Sequence, residues 1–79
     1  MLDRITNYIN DNTFRFTVYE NTIHVINYKR ILILEEDRIS FQSKNQKIKI
    51  EGEGLILKKI LNQEMLITGK IYKIEVSYE

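Results

Sequence analysis

The stretch Lys47-Ile48-Lys49-Ile50-Glu51-Gly52-Glu53-Gly54-Leu55-Ile56-Leu57 sets the reading of the whole chain. Successive side chains of a strand point to opposite sides, so Ile48 and Ile50 share one face while Lys47 and Lys49 share the other. Leu55 and Leu57 resume the apolar series beyond the glycines. Gly52-Glu53-Gly54 reads as a tight turn between two strands, because glycine adopts the positive-φ conformations that turns demand. The same two-residue period extends outward in both directions. Upstream, Phe14, Phe16 and Val18 alternate with Arg15, Thr17 and Tyr19, and Ile23 and Val25 flank His24. Ile31 to Leu34 is apolar on both faces and reads as a central strand, followed by Ile39 and Phe41. Downstream come Ile67 and then Tyr72, Ile74, Val76 and Tyr78 between Lys73, Glu75 and Ser77. Alternation in β-branched and aromatic residues marks half-buried strands.

The breaks at Glu20-Asn21, Glu36-Asp37, Lys44-Asn45 and Gly69 are short and leave no room for helical crossovers, so neighbouring strands are expected to pair antiparallel. Lys58 to Glu64 reads either as a strand end with a loop or as one helical turn. Leu2, Ile5 and Ile9 stand at helical spacing ahead of Asp11-Asn12-Thr13, which suggests a short N-terminal helix over residues 1–13, with a tail as the alternative. The expected fold is all-β: one domain over residues 1–79, a small antiparallel meander over 14–79 curling into a barrel or sandwich behind that helix. Ile33-Leu34-Glu35, Ile50-Glu51-Gly52 and Ile67-Thr68-Gly69 recur at a spacing of 17, so a short β-solenoid is the alternative architecture.

Composition narrows the function. Seventy-nine residues without a single cysteine exclude disulfides and cysteine-based zinc sites. One histidine, His24, cannot assemble a histidine metal cluster, and on a strand it reads as structural or solvent-facing. The Glu35-Glu36-Asp37 run lacks the spaced ligands and the glycine of a calcium loop and reads as a solvated hairpin tip. No nucleophile elbow, zinc-protease helix or phosphate loop is present. These absences point to a protein that is not an enzyme and uses no cofactor or metal. No apolar run reaches the length of a membrane span, and the first residues lack a secretory pattern, which implies a soluble protein that stays in the cytoplasm.

Twelve basic residues against eleven acidic ones leave a formal charge of +1. A nucleic-acid binder draws most of its affinity from a basic excess, so this balance disfavours one. The candidate interaction surface is the lysine set Lys44, Lys47 and Lys49, with Lys58 and Lys59 expected on an adjacent strand. Such a stripe suits nucleic acid or an anionic membrane face. Against that, Glu51 and Glu53 offset its charge, no aromatic residues are interleaved with it, and lysines also guard strand edges against aggregation.

The residues from Ile23 to Tyr78 resemble the YabP/YqfC family of sporulation proteins. The likeness runs through Ile23-His-Val-Ile-Asn-Tyr28, Ile31-Leu-Ile-Leu34 and Asp37-Arg-Ile-Ser-Phe41. It is most specific at Ile48-Lys-Ile-Glu-Gly52, Leu55-Ile-Leu-Lys-Lys-Ile-Leu61 and Leu66-Ile-Thr-Gly-Lys-Ile71, and closes on Ile74-Glu-Val-Ser-Tyr78. These are structural positions. Gly52 and Gly69 would sit where a strand turns or lies against a neighbour, and Leu55 would fill the core. The resemblance implies a mother-cell protein of an endospore-forming bacterium, peripheral to the forespore membrane and needed for the spore envelope, cortex or coat. Its expected partner is a protein, with a membrane-associated sporulation protein and a second copy of the chain as candidates. A different outline, a short helix followed by five strands, is similar to Sm-like nucleic-acid-binding barrels and supplies the alternative function.

Overall fold

The computed structural model describes residues 14–78, and the expected N-terminal helix lies outside them. The described residues form six strands in one sheet: β1 (Arg15–Val18), β2 (Thr22–Ile26), β3 (Arg30–Glu35), β4 (Arg38–Gln42), β5 (Gln46–Leu61) and β6 (Glu64–Tyr78). Their order is β1-β2-β6-β5-β4-β3 and every pair is antiparallel. The all-β expectation therefore holds. The solenoid alternative does not, because a solenoid stacks its coils through parallel pairs and none is present among the described residues.

Two of the breaks expected from the sequence lie inside strands. Gly52-Glu53-Gly54 is not a turn: β5 runs straight through it for 16 residues. Gly69 likewise lies inside the 15-residue β6. The two long strands form a hairpin with register shifts at Glu51/Gly52 and between Glu53 and Ile56, and such bulges bend and twist a strand. All three glycines of the chain occupy this bend. A Cβ at Gly52 would lie 2.0 Å from the carbonyl oxygen of Lys70, so the strands approach there only without a side chain. Gly69 has φ 131°, which β-carbon-bearing residues avoid, and faces the Gly54 carbonyl.

Beyond the bend the hairpin changes neighbours. Residues 47–51 of β5 pair with β4, whereas residues 64–68 of β6 pair with β2. The sheet thus has two leaves. One contains β3, β4 and the open end of the hairpin, and the other contains β1, β2 and its closed end. They share one core: Ile39, Phe41, Ile48 and Ile50 from the first leaf meet Ile23, Val25, Met65 and Ile67 from the second, all eight without solvent exposure. Phe14, beside β1, brings its ring to 6.1 Å from Phe41 on β4, so the leaves face each other. The connection between β2 and β3 crosses from leaf to leaf. Asn27 makes the corner at φ 66°, a conformation asparagine tolerates, and its N–H donates to the Gln63 carbonyl at 2.6 Å. Tyr28 then packs edge-on against Phe41.

The sheet is not closed, since β1 and β3 end it without pairing to each other. The expectation of a central strand at Ile31 to Leu34 is therefore corrected. β3 is an edge strand whose Ile31 and Ile33 are half-buried while Leu32 and Leu34 are exposed. Its two-sided apolar character reflects packing at a rim, where a bulge between Ile31 and Ile33 rotates the strand.

Gly52→Ala should cost about 3 kcal/mol or more, because backbone rather than a flexible side chain must yield. Thr17→Ala on exposed β1 should stay within about 0.5 kcal/mol of the parent. Phe41→Ala, which empties the contact between the leaves, should cost roughly 3–5 kcal/mol. Urea unfolding followed by circular dichroism measures all three, and equal midpoints for Gly52→Ala and Thr17→Ala would refute the bend.

Candidate interaction surface

Directly opposed residues of an antiparallel pair lie on the same face, so the registers sort the outer surface residue by residue. On the first leaf, Lys47 opposes Ser77, and Lys49 opposes both Ser40 and Glu75. Lys47 and Lys49 therefore share the outer face, as their alternation predicts. Lys49 is not free there. Its Nζ lies 3.6 Å from Glu51 Oε2 and 3.4 Å from Glu75 Oε1, and Lys73 Nζ lies 3.4 Å from Glu75 Oε2. This ladder of alternating charge makes the first leaf's outer face balanced and hydrated. A depression of about 610 Å³ lined by Ile33, Ser40, Lys47 and Lys49 opens to solvent beside it. Lys44 stands apart in the β4–β5 turn, which Ser43 closes by accepting the Gln46 N–H on its hydroxyl at 3.2 Å.

Lys58 and Lys59 lie on the same strand as Lys47 and Lys49 but beyond the bend, in the second leaf. They point to opposite faces, Lys58 outward opposite Leu66 and Lys59 opposite the buried Met65. The bend thus divides the lysine set into separate groups. Of the remaining positions singled out in the sequence, Gly52 and Gly69 form the bend and Leu55 is buried in the core beside them.

The second leaf's outer face has a different character. Ile56, Lys58, Leu61 and Leu66 come onto it from the hairpin, with Ile26 and His24 from β2. Ile56 is 59 % exposed and Leu61 66 %. Ile60, 50 % exposed, sits at the bulge between Lys59 and Leu61. His24 Nε2 lies 2.6 Å from Glu64 Oε2, so the one carboxylate of this face is engaged locally. Sequence periodicity passes over this patch because Ile56 reads as an outward gap between Leu55 and Leu57. The signal that could have revealed it is the run of five apolar residues among the seven from Leu55 to Leu61.

Edges supply the remaining unsatisfied surface. Among the described residues, residues 70–78 of β6 pair only with β5, since β2 reaches no further than Thr68. Val76 and Tyr78 stand at this rim, 41 % and 74 % exposed, although their partners Ile48 and Gln46 place them on the core side. At the rim's bulge, the Tyr72 hydroxyl donates to Glu53 Oε1, and the Lys70 ammonium lies 5.8 Å from the Tyr72 ring centroid. Among the described residues no three histidines or carboxylates are placed to hold a metal ion, and no helix is long and apolar enough to cross a membrane.

Among the described residues two ionisations are perturbed. The hydrogen bond to Glu53 raises the Tyr72 pKa above its ordinary value, helped by desolvation and the nearby negative charge. Its contribution to stability is present below the ordinary tyrosine pKa and is lost as pH rises through the raised one. Hydrogen bonding and charge from Lys73, then from Lys49, lower the Glu75 pKa. Its contribution is present above the ordinary carboxylate range and is lost as pH falls through the lowered value. Glu53→Gln should return Tyr72 towards the ordinary range, and removing the Lys73 charge by Lys73→Met should raise Glu75. NMR titration of the two side chains checks both, and unchanged titration curves would contradict these pairings.

No protein-family model, curated protein or solved structure matches the chain.

Proposed function

We propose that the chain is a non-enzymatic interaction domain acting in endospore formation, where it docks a protein partner during assembly of the spore envelope, cortex or coat. The observation that carries this reading is the half-paired β6. Among the described residues, residues 70–78 leave main-chain groups unpaired along one side, with Val76 and Tyr78 exposed at the same rim. An added strand would pair those groups and cover both side chains, the means by which many domains recognise extended peptides. The bulge at Tyr72 and the flanking Lys73 restrict indiscriminate pairing, as charges and bulges do on other exposed edges. The sporulation role rests on the likeness of residues 23–78 to the YabP/YqfC family, which also suggests the mother cell as the site of action and a membrane-associated sporulation protein as the partner. Such a role requires no cofactor. Nucleic acid is the weaker reading: Lys49 is engaged by two carboxylates, and the bend separates the remaining lysines.

Deleting the gene in its native host should reduce heat-resistant spores by a large factor and leave a thin or missing envelope layer. A parental gene should restore the count. One carrying Val76→Glu and Tyr78→Asp, which charge the exposed rim, should not, once circular dichroism of the purified variant shows that the fold persists. Normal spores from the deletion strain would refute the sporulation role, and full rescue by the charged variant would refute the edge.

A further inference from the structure

The closed end of the long hairpin combines features that neither the core nor the β6 rim explains. The β5–β6 turn needs only Asn62 and Gln63, and Leu61 opposes Glu64 in the last pair before it. Ile60 and Leu61, at the end of β5, are half and two-thirds exposed, and Ile56 extends the apolar surface back along the outer face. Solvated strand faces seldom carry so many large aliphatic side chains together, and such patches mark contact surfaces. The first leaf's outer face shows what a solvated surface of this chain looks like, with charges alternating in ion pairs.

Cationic groups outnumber the acidic ones around the tip. Arg15, Lys58 and Lys59 form no ion pair among the described residues, and Glu64, the acidic group nearest them in the strand register, is taken by His24. We propose that the β5–β6 tip binds the surface of an anionic phospholipid bilayer. Leu61 and Ile60 enter the boundary between headgroups and acyl chains, while Lys58 and Lys59 remain among the anionic headgroups. Two physical arguments favour a bilayer over a protein groove. The apolar side chains stand exposed at the end of β5 beside a two-residue turn, so a soft, deformable surface can receive them. The lysines flank the apolar residues on both faces of the strand, which suits a plane of negative charge surrounding an inserted tip. Shallow insertion also leaves the turn's backbone among polar headgroups, where its hydrogen bonds remain satisfied. This inference is independent of the β6 rim and of the sporulation role.

Sedimentation of the full 79-residue chain with lipid vesicles tests it. The protein should pellet with vesicles of phosphatidylcholine mixed with phosphatidylglycerol, should remain in solution with phosphatidylcholine alone, and should dissociate as salt is raised. Lys58→Gln and Lys59→Gln should each weaken binding about fivefold. Leu61→Asp should abolish it, while Leu34→Asp, at a comparably exposed leucine on β3, should leave it unchanged. Circular dichroism on each variant establishes that the fold persists. Failure to bind anionic vesicles, or equal loss with Leu34→Asp, would overturn the proposal. Self-association of the parent that disappears in Leu61→Asp, without vesicle binding, would overturn it too and assign the tip to a second copy of the chain.

Discussion

The contact between the Gly52 backbone and the Lys70 carbonyl governs the rest of this structure. No side chain fits there, since even a Cβ would sit 2.0 Å from that oxygen. Close approach of the strands lets the long hairpin bulge and bend while the β5–β6 ladder resumes on either side of it. A straight hairpin of this length would be a flat ribbon with too little apolar surface to exclude water. Bent, it carries a leaf at each end, and the leaves bury each other.

The bend is also stapled from both sides by backbone groups of other elements. Asp37 accepts from the Gly52 N–H at 3.1 Å and Glu36 from the Leu55 N–H at 2.8 Å, so the β3–β4 turn sits on the β5 side. Asn21, in the β1–β2 turn, accepts from the Gly69 N–H at 3.2 Å on the β6 side. Bulging strands lose ladder partners, and buried amides without partners are costly. These turns supply the missing acceptors. The acidic tip Glu35-Glu36-Asp37 thus combines a solvated side-chain surface with a structural backbone role.

One consequence of changing neighbours at the bend is that each long strand is paired on both sides for only part of its length. The β6 rim is the unpaired remainder in one leaf, and the apolar, cationic tip belongs to the other. Burial of the core does not account for either surface, because the ten buried apolar side chains of the described residues already form one continuous cluster between the leaves. Surfaces left over after a core is complete are where a small domain has freedom to meet partners. The ion-pair ladder over Lys49, Glu51, Lys73 and Glu75 gives the first leaf a charge-balanced outer face in contrast.

Alternation determined the all-β class and most of the core, and the short breaks between runs determined the antiparallel pairing. Ile23, Val25, Ile39, Phe41, Ile48, Ile50 and Ile67 are legible because a half-buried strand must repeat every two residues. It also determined that Lys47 and Lys49 share a face. Tertiary structure decided what period two cannot encode. Glycine permits both a turn and a mid-strand bend, so only the approach of Lys70 distinguishes them at Gly52. The pairing of β2 with β6 rather than β3 is a long-range choice made by the shared core, and it moves Ile31 to Leu34 from the expected centre to an edge. The grouping of Ile56, Leu61, Leu66 and Ile26 on one exposed face follows from that same pairing, since residues forty positions apart become neighbours only when the sheet has formed.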